Sequence, residues 1–359
     1  MQFSIFIHSL RYLPAFVIPC LLVLNYRLEG AFTFLPLFYA FVVIPVGELL
    51  FSASEANISK NEERQYANAK LFDLILVLAC CAHFACLAFF LVSIDQIPQF
   101  SVSWFGHVTA MGLMCGVFGI NVAHELGHRK ERYFQLFALA MLSTSLYMHF
   151  FIEHNRGHHK NVATDQDPAS AKAGEPLFFF WFRSIFGAYK GAWKLENDRL
   201  QRKGFARFSL KNQMIQMHIF QGLLIVFIGV VFGASVLLAF LGAGTFGIFL
   251  LETVNYIEHY GLRRRVLEHG KYERAEVWHS WNSNHLFGRA TLFELSRHSD
   301  HHFIASRKYQ ILRHHQKAPQ LPTGYPGMML LALVPPLFFR VMHPKINQNQ
   351  PHEEGAIFK

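Results

Sequence analysis

Six stretches of this chain, roughly 10–28, 31–52, 71–94, 102–123, 218–241 and 243–260, are apolar over the length a helix needs to cross hydrocarbon. Inside a bilayer the backbone must satisfy its own polar groups, which makes each stretch a helix. With 52% apolar and 16% charged residues and 38 Phe among 359, the chain is too greasy for an ordinary soluble domain. The expectation is an all-α, polytopic membrane protein: a single integral-membrane unit over 1–359, about six transmembrane helices, hairpin pairs with very short outer turns and a cytoplasmic His-rich helical cap. No repeat, low-complexity linker or second soluble domain interrupts it. The first stretch lacks a small-residue cleavage site, so a removed signal peptide is not expected.

Basic residues set the orientation. The turns near 95–101 and 241–245 carry no Lys or Arg, and the first turn holds only Arg27 near its edge. Segments 53–70, 124–217 and 261–359 hold nearly all the rest, which places them and both termini in the cytoplasm, with the chain in the inner membrane. The net charge of +9 is then a property of one face. It orients the chain, and it also suits docking of an acidic soluble protein. The basic residues follow topology and form no dedicated arm, so nucleic-acid binding is not supported. Cys20, Cys80, Cys81, Cys86 and Cys115 all fall in apolar stretches and form no CxxC pair, which argues against disulfides and thiolate metal sites. Shorter apolar stretches at 133–152 and 177–193 lie in the insert, the second reading as an interfacial helix with Arg183 and Lys190 among aromatics. Another at 325–342, broken by Pro335 and Pro336, suits a surface or re-entrant piece. The last dozen residues are polar and read as a loose tail.

Nine of the 21 histidines fall in four clusters at the edges of these stretches: HELGH (His124, His128), HNRGHH (His154, His158, His159), YIEHYG (His259) and RHSDHH (His298, His301, His302). Imidazole is the commonest protein ligand for Zn, Fe and Cu, and nine are too many for one ion and suit two. In the expected topology all four clusters reach the same side of the membrane. On a helix His124 and His128 share a face, as do His154 and His158; His298, His301 and His302 share another, while His159 points round toward the other ion.

HELGH also satisfies HExxH, the zinc-protease pattern with Glu125 as base, but a protease needs one further ligand and leaves seven clustered histidines unexplained. A histidine-rich metal transporter or store would carry its ligands near the midplane rather than at one edge. An all-histidine metal pair at a greasy site instead points to redox iron and O₂. The chain has no dinucleotide fingerprint, haem attachment or thiolate cluster, so its electrons must come from a separate donor docked on the cytoplasmic face.

The motifs HELGHRK, FFIEHNRGHH, NYIEHYGL and LSRHSDHH resemble those of the membrane alkane hydroxylases (alkane 1-monooxygenases). The similarity continues through VATDQDPAS, HSWNSNH and LPTGYPG, covering 121 to about 327. The wider superfamily includes fatty acid desaturases and xylene monooxygenases, and NYIEHYGL, with Glu258, is nearer to the alkane enzymes. The resemblance implies a non-haem centre of two Fe ions on the nine histidines. It also implies O₂ as co-substrate, electrons from rubredoxin or ferredoxin with its reductase, and terminal hydroxylation of medium-chain n-alkanes. A fatty acid desaturase or a xylene-type methyl hydroxylase with the same metal centre is the alternative, separated by product. The chain departs where the family often has two His before SWNSNH: here Trp278 precedes His279.

Glu125, Glu153, Glu258 and Asp300 adjoin the clusters and are expected to accept the second ring N–H of an imidazole. His279, Asn282, Asn284 and His285 are further candidates for that outer layer. His8, His269, His314, His315, His343 and His352 read as surface or interfacial, and His83, mid-span, as a packing histidine facing the bundle interior. Glu48 either pairs with a base or faces the site. An alkane entering from lipid needs an apolar channel, for which Ala40, Phe41, Ile44, Gly112, Gly116 and Gly119 are candidate walls, with helix packing as the other role for the glycines.

Overall fold

The computed structural model describes residues 2–349; 350–359, with His352 and most of the expected tail, lie outside the described residues. The described residues form helices joined by loops, with no named strand among them. Six helices are long and apolar enough to cross a membrane: Gln2–Asn25, Gly30–Leu50, Lys70–Gln96, Val102–Gly127, Gln213–Phe232 and Ala234–His259. The chain is thus a multi-pass membrane protein of all-α class.

The turn between the fifth and sixth spans lies at Gly233, not near 242 as expected. Gly233 has φ +91°, a conformation L side chains rarely adopt, and it ends one helix and starts the next. Gly242, Gly244 and Gly247 stay helical because their lack of a Cβ permits close packing. A Cβ at Gly247 would lie 2.6 Å from Cys115 Cβ, one at Gly112 2.7 Å from Phe246, and one at Gly244 3.2 Å from the Ser145 backbone. The fourth and sixth spans therefore run with their backbones in near contact, as small residues allow in membranes. The fourth is the most enclosed of the six and the fifth the least. Asn212 starts the fifth span by accepting from the N–H groups of Met214 and Ile215.

Two apolar clusters position the site. One joins the first, third, fourth and sixth spans around Phe72, Phe90, Met111 and Phe118. The other packs Tyr256 and Tyr260, at the end of the sixth span, against Trp281, Tyr325 and Phe338. There the loop after the sixth span folds back on it: Trp281 N donates to Glu258 O at 2.8 Å, and Trp281 Nε1 to Tyr260 O at 2.9 Å. The insert's apolar stretches become helices Arg132–Ser143 and Leu177–Arg202, and 325–342 becomes Tyr325–Ala332 and Pro335–Asn349, broken before the two prolines.

Candidate metal centre

The nine clustered histidines converge in two adjacent groups. His124, His128, His154, His159 and His301 form one; His158, His259, His298 and His302 form the other; within each group the ring nitrogens lie within 4.8 Å of one another. Two helical segments, Phe150–Asn161 and His298–Phe303, contribute to both groups and form their shared wall. The His159 and His302 rings, from opposite groups, are 4.6 Å apart.

How the histidines divide corrects the sequence expectation. His154 and His158 do not share a group. Residues 154–158 form a π turn, whose i→i+5 repeat aligns His154 with His159 and turns His158 to the other side. His301 likewise leaves His298 and His302, an i, i+4 pair, for the first group. His124 and His128 do share a face at the end of the fourth span.

Hydrogen bonding cannot satisfy this arrangement. An imidazole Nε2 has one in-plane direction, either a proton or a lone pair. Yet His301 Nε2 lies 2.9 Å from His124 Nε2 and 3.1 Å from that of His159, and His159 Nε2 is also 3.0 Å from His154 Nε2. In the second group, His302 Nε2 lies 3.2 Å from His158 Nε2 and 2.9 Å from His298 Nε2, which is 3.1 Å from His259 Nε2. Lone pairs converging on a common point explain both sets. Neighbouring ligands at right angles on an ion with bonds of roughly 2.1 Å lie about 3.0 Å apart. Burial also drives six of the imidazoles toward the neutral form that ligates. Burial pushes His128 down to about 4. Burial first, and neighbouring imidazoles second, hold His154, His159, His298, His301 and His302 well below the usual histidine range. The donor set fits two metal ions.

One carboxylate stands directly behind a donor, and it was not among the expected ones. His158 Nδ1 is 2.9 Å from Asp167 Oδ2, both side chains buried, and Ser170 Oγ donates to the same carboxylate at 2.5 Å. Burial alone would lower His158, but Asp167 more than offsets it and the imidazole is raised. Asp167 lies in the VATDQDPAS stretch, whose resemblance was the available signal.

The carboxylates expected in that role do other things. Glu125 pairs with Arg129 at 2.8 Å and accepts from Tyr309 N. Asp300 accepts two bonds from Arg307 at 2.6 and 2.8 Å, one from Arg313 N and one from His315 Nε2 at 2.6 Å, pinning the next loop to the donor helix. His315 is therefore no bystander. Glu153 is buried against Gly157 and Gly191, where a Cβ would meet it at 2.7 and 3.4 Å. Glu258 faces the donors themselves, its Oε2 3.2 Å from His298 Nε2. His279 is held by Glu273 and the Glu276 N–H, and His285 by Ser283 Oγ. Asn282 accepts from Ser299 N and Oγ, bracing the donor helix, while Asn284 bonds His314 and Gln320. His83 packs in the interior with Nε2 2.9 Å from Thr144 Oγ1. Of the remaining histidines, His269 is exposed, whereas His343 bonds Tyr260 OH. Among the described residues Glu48 pairs with no base; it accepts from Gly288 N at 2.9 Å beside Gly324.

An apolar cavity runs between the second, fourth and sixth spans and ends on both groups, at His124, His154 and His298. Ala40, Phe41, Ile44 and Gly116 line it as expected. Gly112 and Gly119 do not: they pack on Phe246 and on His83.

Fold and site together define a multi-pass membrane protein with two adjacent all-imidazole sites competent for metal, at the end of a greasy cavity. Residues 98–332 match the fatty acid desaturase family. The chain is 38% identical to alkane 1-monooxygenase of Pseudomonas putida over 320 residues, 88% of this chain and 79% of that protein. It is 35% identical to alkane 1-monooxygenase 2 of Alcanivorax borkumensis over 89% of this chain and 85% of that protein. Against the xylene/toluene monooxygenase hydroxylase component of Pseudomonas putida the identity is 29%, over 66% of this chain and 63% of that protein. The chain belongs to the fatty acid desaturase family and, within it, to the alkane 1-monooxygenases.

Proposed function

We propose that this protein is an O₂-dependent enzyme that hydroxylates the terminal carbon of a medium-chain n-alkane to a primary alcohol at a pair of non-haem irons. His124, His128, His154, His159 and His301 hold one iron, and His158, His259, His298 and His302 the other. Two electrons come from rubredoxin or ferredoxin with its reductase, docked on the basic cytoplasmic face of the inner membrane. One oxygen atom enters the product; the other leaves as water with two protons and the two electrons. When bound, iron supplies the redox chemistry with O₂ that an unactivated C–H bond requires.

The observation that carries the reading is the apolar cavity that ends on histidines of both groups. Burial at about 0.8 kcal/mol per CH₂ holds an alkane there with no polar contact. Ala40, Phe41 and Ile44 on one side and Gly116 and Leu250 on the other direct the chain end toward His124 and His298, so terminal selectivity follows from position. Asp167 fixes the proton of His158 on Nδ1 and leaves Nε2 free to ligate.

The test is purified protein with iron, reductase and rubredoxin on octane through hexadecane, and on a methylbenzene, under ¹⁸O₂. Primary alcohols carrying ¹⁸O support the proposal. Alkenes, or oxidation confined to methylbenzenes, would transfer the assignment to the desaturase or xylene type.

A further inference from the structure

A second cavity opens at the same end of the bundle, between the start of the first span, the segment after the second and residues 286–297. Its floor is charged and unbalanced. Buried Glu294 meets three guanidiniums: Arg11 Nη2 at 2.5 Å, Arg289 Nε at 2.7 Å and Arg297 Nε at 3.7 Å. Arg289 and Arg297 are buried as deeply as Glu294; their terminal nitrogens donate to the neutral Ser54 O, Ala56 O, Leu312 O and Asn57 Oδ1, which meets their hydrogen bonds but not their charge. One carboxylate cannot neutralise three cations, and buried charge without a counter-charge is strongly unfavourable. The other acid lining the cavity, Glu62, is exposed and accepts from Ser59 Oγ. Phe293 and Glu294 have φ of 51° and 61°, left-handed conformations rare for such residues, and they aim the carboxylate back at the arginines.

The walls are apolar, with Pro14, Phe51, Ile58, Leu286 and Phe287 beside the charged floor. The neighbouring helix Gln2–Leu10 exposes Phe3, Phe6 and Ile7, as a helix in contact with lipid would. A ligand that fits carries an anion at one end and hydrocarbon at the other. We propose that this cavity binds an anionic membrane phospholipid, with its phosphate on Arg11 over the net positive charge of Arg289 and Arg297, and its acyl chains against Phe51 and Phe287.

The site has a consequence for the metal centre. Residues 286–297 form the partition between the two cavities. Arg289, Glu294 and Arg297 face the lipid side, whereas Thr291, Leu292 and Leu295 line the alkane cavity, and the next residue is His298. A bound head group braces the wall that leads into the donor helix.

The experiment places the full chain in nanodiscs of phosphatidylcholine, of phosphatidylcholine with phosphatidylglycerol, and of phosphatidylcholine with added inorganic phosphate. It reads the thermal midpoint and the lipids retained in native mass spectra. Arg297 is buried and its loss would disrupt the segment, so the variant is Arg11→Gln, whose side chain is 27% exposed. The expected result is one retained phosphatidylglycerol per chain and a raised midpoint, with retention falling about fivefold in Arg11→Gln. Arg27→Gln, at an exposed position, retains the lipid as the wild type does. Equal retention of both lipids, no effect of Arg11→Gln, or the same stabilisation by inorganic phosphate without retained lipid overturns the proposal.

Discussion

His158 and Asp167 form a buried pair, Nδ1 to Oδ2 at 2.9 Å, in which the carboxylate orients an imidazole whose other nitrogen joins His259, His298 and His302. Carboxylates behind ligating histidines set tautomer and basicity, and their loss typically weakens metal affinity about 10–100-fold. Asp167→Asn should therefore weaken iron binding in the second group by that order while the first group keeps its iron. Metal titration of the purified variant checks this. An unchanged affinity would show that the carboxylate does not set the ring's competence to ligate.

Asp300 has a different task. Buried between two donors in sequence, it bonds Arg307, His315 and the Arg313 N–H and touches no donor. Its partners are partly exposed, so Asp300→Asn should cost about 1–3 kcal/mol of stability rather than the full penalty of a buried pair. Because helix His298–Phe303 serves both groups, iron should be lost more readily from both. Thermal unfolding and iron release rates on one preparation test the two effects together.

Gly116 and Gly112 separate channel from packing. Gly116 lines the apolar cavity; Gly112 faces Phe246 across the helix crossing, where a Cβ would lie 2.7 Å away. Gly116→Val should shift the preferred alkane to shorter chains. Gly112→Ala should lower stability by about 1–3 kcal/mol through overpacking and leave the chain-length profile unchanged. Product profiles from octane to hexadecane, with a melting curve for each variant, decide. Identical profiles for wild type and Gly116→Val would remove that glycine from the channel.

The histidine groups make stability depend on pH with a definite sign. Burial places His128 at about 4 and five other donors well below the usual range, so the folded state binds fewer protons than the unfolded one. Their neutral forms are compatible with folding at no cost above the unfolded value of about 6.5, and stability falls as pH drops from there toward 4. His158, raised by Asp167, and Glu153, pushed up to about 8 by burial, work in the opposite direction but are outnumbered by these six donors. The thermal midpoint of iron-free protein should fall between pH 7.5 and 5, measured by scanning fluorimetry in one detergent. A flat midpoint over that interval would mean the imidazoles are solvated.

Hydropathy made the six spans legible because each stretch must be long and apolar to exist in lipid, and the nine histidines were legible because imidazoles rarely cluster for any purpose but ligation. Their division was not. A strict α-helix pairs His154 with His158; the π turn that pairs His154 with His159 leaves no composition signal. The turn at Gly233 was misplaced because the glycines near 242 are equally turn-like in sequence, and only packing against Val108, Ser145 and Cys115 explains them. Adjacency in sequence likewise misled for Glu125 and Asp300. Each stands beside a donor on a helix but turns to an arginine, whereas Asp167 reaches His158 from nine residues on.

The two-group arrangement is tested most directly by counting iron per chain in the reconstituted wild type, His301→Ala and His302→Ala, each confirmed folded by its melting curve. His301 serves the first group and His302 the second, although they are neighbours in sequence. The predicted counts are two, one and one, with His301→Ala keeping the second group's iron and His302→Ala the first's. A wild-type count of one, or loss of all iron in both variants, would mean a single shared site and would contradict the account.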